Sequence, residues 1–367
     1  MKKISVRLSH HPYSILIGRN LLSSAGRLIK QLKVGSKVLI VSNKKIPGIF
    51  LKTLKQSLVR SGFQVHSYLL PFGNERDKSV EVLSKIWEQM ARIPLDRIST
   101  VVALGGGVVG DTVGFAAATY MRGISLVQIP TTLLAQVDSA IGGKTAIDLP
   151  SAKNIVGAFY QPKLVISDIE TLKTLDPFEF KNSFSEIIKY GVIGDPQLFR
   201  LLEKKLSGFL SAVQSKRFGS SEISFLETVI SRSAQAKARV VSEDERETKG
   251  KRMILNYGHT FAHALEGASK FQLPHGQAVA IGMIFAGELA CRMNIFSRAD
   301  QNRQIRLIAA LELPLRFRFS SRVLLSFMKR DKKVKNGKMR FVLPKRIGQV
   351  GIYENVSEQL VRKILEG

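Results

Sequence analysis

Short apolar runs alternate with longer amphipathic stretches through the first half of the chain. The apolar runs, which predict strands, lie at residues 13–17, 37–41, 63–69, 98–104, 124–129 and 163–167. Helical spacing of apolar positions fills the intervals at 23–32, 49–62, 79–92 and 108–121. A strand that is apolar throughout is buried on both faces, as in a parallel sheet covered by helices on either side. The pattern predicts an α/β domain with a Rossmann-like, doubly wound parallel sheet.

The second half of the chain shows almost only helical periodicity, with one strand candidate at residues 339–344. Asp176 and Pro177 are a typical helix start, because Asp favours the cap and Pro the first helical position. We therefore predict an α/β domain at residues 1–175 and a mostly α-helical domain at residues 176–367.

Between the last two predicted strands of the first domain, residues 131–161 are rich in glycine and polar residues. We interpret them as a long irregular loop, which in a compact domain is usually functional.

Composition limits the class of protein. A chain of 367 residues can form two domains with their own cores. The single cysteine, Cys291, excludes a disulfide framework and a multi-thiolate zinc site, and it suits a reducing cytoplasm. The basic start lacks the apolar core of a signal peptide. The most apolar run, residues 278–291, is too short to span a bilayer. We expect a cytoplasmic protein without a membrane partner.

The net charge of +27 has two competing explanations, a polyanionic partner or a site for anionic small molecules on a generally basic protein. Residues 303–346 contain fourteen Lys or Arg and two acids, Glu312 and Asp331. A nucleic-acid interface would have to lie there. The segment has no RNA-binding aromatic signature, zinc finger or basic zipper, and apolar residues interrupt its charges. Solvated helix faces explain most of it, so we expect no nucleic-acid partner.

Three of the six histidines lie between Arg252 and Gly276. His259 and His263 stand four residues apart, which on a helix places both imidazoles on one face and suits a divalent metal. His275 follows a Leu-Pro break, so the chain can turn it back toward the same place. Two ordinary polar histidines are the alternative and, for the pair alone, the commoner case. Because position 260 is Thr260, the glutamate of the zinc-protease helix is missing and that class is excluded.

Two further polar patterns lie in the second half. Arg252 and Asn256 precede the histidines at four-residue steps, which predicts one continuous polar stripe along the same helix. Glu186 and Lys189 share a helix face at a spacing of three, and a surface ion pair is the usual explanation.

The sequence GGGVVG, from Gly105 to Gly110, follows a predicted strand and opens a predicted helix. In that context glycines let backbone amides approach a pyrophosphate at the positive end of the helix. No acid stands about twenty residues on, where a standard dinucleotide fold has its ribose ligand. We therefore predict a nucleotide site, and a standard Rossmann dehydrogenase is disfavoured.

A second glycine motif, Gly142 to Thr145, is similar to the end of a P-loop, but Asp138 occupies the position of the first glycine and excludes that motif. Lys144, with Lys153 and Asn154 nearby, suits binding of a phosphate or carboxylate. A solvated loop lysine is the alternative.

Eight motifs in order resemble those of the 3-dehydroquinate synthase family, from about residue 13 to the C-terminus: GGGVVGD, YMRG, QIPTTLLAQVDSAIGGKTAID, KNIVGAF, SEIIKYG, LNYGHTFAHALE, PHG and RDKKVKNGKMRFVLP. The resemblance implies an NAD-binding α/β domain, a helical domain that binds Zn²⁺ or Co²⁺, and an active site in the cleft between them. It further implies a homodimer that converts 3-deoxy-D-arabino-heptulosonate 7-phosphate to 3-dehydroquinate and phosphate, the second step of the shikimate pathway.

The resemblance also implies roles for individual residues. The zinc ligands are Glu186, His259 and His275, so His263 becomes a substrate and proton-transfer residue. The catalytic residues are Lys144, Lys189, Arg252 and His263. The other substrate-binding residues are Arg122 (lent across a dimer interface), Asp138, Asn154, Lys237, Asn256 and one lysine of Lys332 and Lys333. The residues matching NAD contacts are Asn43, Glu75, Lys78, Gly106, Gly107, Asp111, Thr131, Thr132, Lys144, Lys153, Thr171 and Thr174.

The chain departs from the family pattern at three places. Asn43 stands where aspartate is common, the loop at residues 72–78 is one residue longer, and residues 243–251 carry an insertion. Three rival functions stay open: a sister sugar phosphate cyclase with a different carbocyclic product, a metal-dependent polyol dehydrogenase, and a nucleic-acid-binding protein.

Overall fold

A computed structural model describes residues 1–150, 152–215, 217–316, 319–330 and 339–366. The chain forms two compact units. The first comprises Met1–Leu175 and Ile223–Arg246, and the second comprises Asp176–Glu222 and Glu247–Gly367. The first unit thus takes in a segment, Ile223–Arg246, that the sequence pattern assigned to the helical domain. No helix within the described ranges is long and apolar enough to cross a membrane.

The first unit is built on a seven-stranded sheet with the order β1-β2-β9-β6-β5-β3-β4. β1 pairs antiparallel with β2, and every other neighbouring pair is parallel. A separate antiparallel hairpin is formed by β7 and β8. The strands are β1 (Lys2–Val6), β2 (Tyr13–Gly18), β3 (Lys37–Asn43), β4 (Gln64–Leu70), β5 (Thr100–Gly105), β6 (Ser125–Pro130), β7 (Lys144–Leu149), β8 (Ala152–Phe159) and β9 (Leu164–Asp168).

Helices cover both faces of this sheet: α1 (Ala25–Lys30), α2 (Gly48–Arg60), α3 (Val80–Arg92) and α4 (Gly107–Thr119). Alternate residues of the central strands point to opposite faces. In β3, Val38 and Ile40 pack in the core beneath α1 and α2, while Leu39 and Val41 pack in the core beneath α3 and α4. Two buried faces explain why the central strands are apolar throughout. The predicted α/β, doubly wound sheet is confirmed.

Two sequence interpretations of the first unit are wrong. The stretch 131–161 is not an irregular loop, because it contains a π-helical turn at Ala135–Ser139 and the β7–β8 hairpin. The strands β7 and β8 approach closely at Gly157, where a Cβ would lie 2.1 Å from the carbonyl oxygen of Thr145. The spacing of apolar residues in the sequence does not reveal such a contact. The edge strand β1 was missed because its exposed lysines give no apolar pattern. Lysines are typical of edge strands, where they discourage pairing between molecules.

The layer formed by α1 and α2 is basic. No Asp or Glu precedes Glu75 in the chain, whereas the same 74 residues contain thirteen Lys or Arg. Arg27 on α1 and Lys52, Lys55 and Arg60 on α2 are all exposed. Their apolar neighbours face the sheet, so the positive charges remain on the outer side of the layer.

The second unit is mostly helical, as predicted. It contains α5 (Pro177–Ile193), α6 (Pro196–Gln214), the first residues of α7 (Ser220–Glu243), α8 (His259–Ala268), α9 (His275–Arg292), α10 (Arg298–Ala309), α11 (Ser321–Arg330), α12 (Glu358–Glu366) and a hairpin of β10 (Phe341–Arg346) and β11 (Gln349–Tyr353). The side chain of Asp176 caps α5 by accepting from the backbone N–H of Phe178 at 2.8 Å, which confirms the predicted helix start. From residue 182 to 193, α5 is buried on every side.

Candidate active site

Three potential metal ligands meet in the second unit, each from a different helix. Glu186 lies in the middle of α5, His259 at the first residue of α8 and His275 at the first residue of α9. Nε2 of His259 lies 3.4 Å from Oε1 of Glu186, and Nε2 of His275 lies 3.1 Å from the same oxygen. One ligand atom from each residue falls within 4.8 Å of the others. Two imidazole nitrogens and one carboxylate oxygen are a donor set that suits zinc and leaves positions open.

The distal nitrogens of both imidazoles are also occupied. Nδ1 of His259 lies 3.1 Å from the carbonyl oxygen of Tyr257, and Nδ1 of His275 lies 3.2 Å from Oε1 of Glu266. Both partners only accept hydrogen bonds, so each Nδ1 carries the proton. In a neutral ring the lone pair is then on Nε2, which faces Glu186. The tautomers are therefore fixed for binding a cation at this position.

The charges around Glu186 favour its ionised form. Its side chain is 1% exposed, and the ammonium group of Lys189, itself 2% exposed, pairs with Oε2. Burial raises the pKa of Glu186, but Lys189 and His259 more than offset it and hold the pKa well below its usual range. Burial lowers the pKa of His275, yet hydrogen bonds to Glu186 and Glu266 raise it to about 10. The site thus stabilises positive charge between its carboxylates.

Close helix packing at glycines brings the ligands together. A Cβ on Gly276 would lie 2.2 Å from the backbone carbonyl oxygen of Asn182 in α5, so only glycine permits this approach next to His275. A Cβ on Gly282 of α9 would lie 2.2 Å from the carbonyl oxygen of Gly258, which precedes α8. Gly258 itself has φ +79°, a conformation that favours glycine. These contacts set the separation of the three ligand-bearing helices.

Two expectations about this region are wrong. The pair Glu186 and Lys189 is buried in the core of the unit and not a surface ion pair. Arg252 and Asn256 are not on the helix of the histidines, because they belong to a short 3-10 helix, Lys251–Asn256, that ends before Gly258. Arg252 is 1% exposed, with Nε 3.5 Å from Oε1 of Glu247. The helical pairing of His259 with His263 is confirmed, with ring centroids 5.6 Å apart.

In the first unit, predicted nucleotide-binding residues gather at one edge of the sheet. Asn43 ends β3, Gly106 follows β5, Thr131 follows β6 and Thr171 follows β9. These four strands are neighbours in the order β9-β6-β5-β3, and their carboxyl ends meet at the same edge. The backbone N–H of Thr131 donates to the carbonyl oxygen of Gly105 at 3.0 Å. Open α/β sheets bind ligands at this edge.

The glycine motif has the predicted context. β5 ends at Gly105, Gly106 is the cap of α4, and α4 begins at Gly107. A Cβ on Gly106 would lie 3.1 Å from Cγ2 of Thr132, and one on Gly107 would lie 3.0 Å from Oγ of Ser139. The first turn of α4 therefore presents bare backbone N–H groups at its positive end, where a pyrophosphate is favoured.

A buried cation links the loop before α3 to this helix. Nζ of Lys78, 4% exposed, lies 2.8 Å from Oδ2 of Asp111 in α4 and contacts Oδ1 of Asn154 in β8. Glu75 lies near Lys78 at 4.0 Å and near Lys153 at 3.7 Å. Burial raises the pKa of Asp111, and Lys78 lowers it in part. The longer loop thus still brings Glu75 into this cluster.

The π-helical turn supplies one partner of a second ion pair, in which the cation is buried and the carboxylate is partly exposed. Nζ of Lys237 lies 2.6 Å from Oδ1 of Asp138 and 2.8 Å from its carbonyl oxygen. π-helical turns are frequent at functional sites because the extra residue re-aims a side chain. The predicted residues Asp138 and Lys237, 99 positions apart in sequence, are therefore brought into contact.

The remaining predicted residues have the following places. Lys144 is the exposed first residue of β7, and Thr174 ends the 3-10 helix that contains Thr171. Arg122 is the exposed last residue of a kinked 3-10 helix, Tyr120–Arg122, and has φ +68°. Lys332 and Lys333 lie outside the described residues.

Sequence reasoning missed Glu266 as part of the candidate metal centre. The residue lies seven positions after His259 and three after His263, so it shares their helix face. That spacing was available in the sequence. Spacing within α8 could not show that the carboxylate reaches Nδ1 of His275, because that residue lies on a different helix.

Comparison with known proteins agrees with this geometry. A family model described as 3-dehydroquinate synthase N-terminal matches residues 68–182, and one described as 3-dehydroquinate synthase C-terminal matches residues 183–334. The 3-dehydroquinate synthase of Picosynechococcus is 45% identical over 98% of this chain and 97% of its own. That of Prochlorococcus marinus is 47% identical over 99% and 96%. The chain belongs to the 3-dehydroquinate synthase family.

Solved structures related to this 3-dehydroquinate synthase family member include two sugar phosphate cyclases. A 2-epi-5-epi-valiolone synthase from Streptomyces hygroscopicus with NAD⁺ and Zn²⁺ bound is 26% identical with a TM-score of 0.86, covering 100% of this chain and 97% of that one. A 2-deoxy-scyllo-inosose synthase complexed with carbaglucose-6-phosphate, NAD⁺ and Co²⁺ is 26% identical with a TM-score of 0.84, covering 100% of both chains. A glycerol dehydrogenase from Schizosaccharomyces pombe, at 14% identity and a TM-score of 0.67 over 96% and 87%, shares the fold.

The close contact at Gly276 gives the first prediction. Gly276→Ala forces α9 away from α5, so we expect a loss of about 2 kcal/mol in stability, as for overpacking of a core, together with weaker Zn²⁺ binding. Gly208→Ala is the matched control, because nothing lies within 4 Å of a Cβ at that exposed position of α6. Denaturant unfolding and zinc titration measure the two effects. Normal zinc affinity in Gly276→Ala would contradict the role given to this contact.

The pair of Lys78 and Asp111 gives the second prediction. Lys78→Met leaves the Asp111 carboxylate without this buried partner, and we expect a loss of about 3 kcal/mol in the free energy of unfolding. Adding Asp111→Asn removes that charge, so the double variant should recover most of the loss. Denaturant unfolding of the four proteins in the cycle measures the coupling. Additive losses would mean that the pair does not act as a unit.

Proposed function

We propose that this chain converts 3-deoxy-D-arabino-heptulosonate 7-phosphate to 3-dehydroquinate and phosphate, the second step of the shikimate pathway. We further propose that it uses NAD catalytically and depends on Zn²⁺ or Co²⁺. The observation that carries the proposal is that two cations, Lys189 and Arg252, are buried in the second unit. The same unit contains the triad of Glu186, His259 and His275. A substrate with adjacent hydroxyls, a carboxylate and a phosphate needs both kinds of group.

The residues present fit both cofactors. Two Nε2 atoms and Oε1 of Glu186 face one point, with both imidazole tautomers fixed from behind. For NAD, Gly106 leaves open a space beside Thr132 that a Cβ would fill. The buried Asn43, at the end of the neighbouring strand β3, can accept a hydrogen bond from a ribose hydroxyl.

When bound, the metal would raise the acidity of the substrate hydroxyls it holds, and the nicotinamide would take a hydride and return it, so that no net oxidation results. The chain's own groups position and neutralise the substrate. Lys189 and Arg252 are desolvated, which strengthens their attraction for the carboxylate and phosphate. His263 is one helical turn from His259, where its imidazole can move a proton at the bound substrate. Much of the rate enhancement then comes from positioning and charge stabilisation.

We assign the residues as follows. The metal ligands are Glu186, His259 and His275. The substrate residues are Asp138, Lys144, Asn154, Lys189, Lys237, Arg252, Asn256 and His263, with Arg122 from the second subunit of a homodimer and one of Lys332 and Lys333. The NAD residues are Asn43, Glu75, Lys78, Gly106, Gly107, Asp111, Thr131, Thr132, Lys144, Lys153, Thr171 and Thr174. Cys291 is a free thiol, and a reducing cytoplasm is the proposed compartment.

Substrate choice among sister cyclases is the finer part of the proposal. A sister enzyme with another carbocyclic product should differ at the carboxylate-binding positions. Here Arg252, Asn256 and His263 are the residues that favour the shikimate substrate. The curated relatives at 42–47% identity carry the 3-dehydroquinate synthase name, whereas the cyclases of other specificity are 26% identical.

The third prediction tests the reaction itself. Purified protein given the heptulosonate phosphate, a divalent metal and substoichiometric NAD should release phosphate over many turnovers without accumulating NADH. Phosphate is measured colorimetrically and NADH by its absorbance. Stoichiometric NADH production would indicate a polyol dehydrogenase instead, and turnover only of another sugar phosphate would indicate a sister cyclase.

The fourth prediction separates ligand from substrate residues. Glu186→Ala and His275→Ala should lose bound zinc and turnover together, whereas His263→Ala should keep zinc and lose turnover. The exposed His66 in β4 offers the control His66→Ala, which should change neither. Metal content is measured by atomic emission after dialysis. A fully active Glu186→Ala protein without metal would refute the metal centre.

A further inference from the structure

Each of the three proposed metal ligands is contacted by a different group on the side that faces away from the proposed metal position. Lys189 pairs with the far oxygen of Glu186, the backbone carbonyl of Tyr257 accepts from His259, and the side chain of Glu266 accepts from His275. We propose that Glu266 is the positioning residue that fixes the tautomer and ring orientation of His275 for metal binding. The inference rests on the metal centre of the proposed function.

The geometry at His275 shows how Glu266 can hold the ring. His275 is the first residue of α9, so its ring lies where that helix begins. Among the described contacts, the ring is fixed at both nitrogens by carboxylates, Nε2 by Glu186 at 3.1 Å and Nδ1 by Glu266 at 3.2 Å. A ring flip about the Cβ–Cγ bond would place Cδ2 and Cε1 where Nδ1 and Nε2 now lie, and the acceptor at Nδ1 therefore favours the orientation in which Nε2 faces Glu186.

The comparison with His259 shows why the side chain matters at His275. His259 is held by a main-chain carbonyl two residues away, a contact that no side-chain substitution at Tyr257 removes. Glu266 must instead reach from the last turn of α8 to the first residue of α9. Burial raises the pKa of Glu266, but the hydrogen bond to His275 and the nearby imidazoles lower it below its usual range. An ionised carboxylate is a stronger acceptor than a carbonyl, and it increases the basicity of the ligand nitrogen.

Removing such an acceptor typically weakens metal binding about 10- to 100-fold. For Glu266→Ala we expect a loss in Zn²⁺ affinity within that range. Glu266→Gln should lose less, because its amide oxygen can still accept from Nδ1. The visible spectrum of the Co²⁺-loaded protein should change shape in Glu266→Ala, since the His275 ring is no longer held in one orientation.

Two control variants separate positioning from general destabilisation. Glu288→Ala removes a carboxylate from the same helix as His275, but one that pairs with Arg292 and Arg298. Tyr257→Phe removes the hydroxyl that donates to Gln304 at 2.8 Å, while the carbonyl behind His259 stays in place. Both should keep normal Zn²⁺ affinity, although Tyr257→Phe should unfold more easily.

The deciding experiment is a double-mutant cycle on Zn²⁺ affinity, measured on metal-stripped full-length proteins by competition with a chromogenic chelator. In a His275→Ala background, where Glu186 and His259 should still bind Zn²⁺ weakly enough to be lost on dialysis but measurable by competition, Glu266→Ala should cause no further loss, because the residue acts only through the ring. An equal loss in both backgrounds, or normal affinity in Glu266→Ala, would overturn the inference while leaving the metal centre intact. Failure of the unsubstituted protein to bind Zn²⁺ would overturn the metal centre and this inference together.

Discussion

The second unit depends on one buried negative charge. Glu186 lies in the middle of a helix that is surrounded by protein on every side, where an isolated carboxylate costs several kcal/mol of desolvation free energy. Lys189, His259 and His275 surround it and offset that cost. A cation bound between the imidazoles would add to the same compensation. The candidate metal ligands are therefore part of the balance of charge that lets α5 occupy the core.

This arrangement constrains the helices as much as the ligands. An Oε1 that serves two imidazoles requires the starts of α8 and α9 to approach α5 closely, and the chain permits this at Gly258, Gly276 and Gly282. In the first unit glycine has a parallel role, since Gly106 clears the strand end at which α4 begins. In both units, glycine allows the close approach at the candidate site, because a Cβ would crowd the neighbouring element.

The sequence predicts the fold class because a strand that is buried on both faces of a sheet has to be apolar throughout, and such runs are visible in the sequence. The strands β3, β5 and β6 were recognisable for that reason, whereas β1 and β11 carry mixed patterns at exposed edges. Within the site, helical spacing placed His259 with His263 correctly. Spacing could not show that Glu186 and Lys189 are buried, because burial of a charged pair depends on helices far away in sequence. The same limit applies to Asp138 and Lys237, which only the tertiary structure brings together.

The first 74 residues, which include α1 and α2 and contain no Asp or Glu, have a consequence for encounter with ligands. Thirteen cations in 74 residues without an acid create a field that acts beyond contact distance on any molecule carrying carboxylate and phosphate. At physiological ionic strength that field decays over about 8 Å, so it acts on approach and not on the bond-making steps. Such a segment raises the local concentration of small anions around the first unit. The positive field therefore increases the association rate of anionic ligands, and this increase becomes smaller as the salt concentration rises.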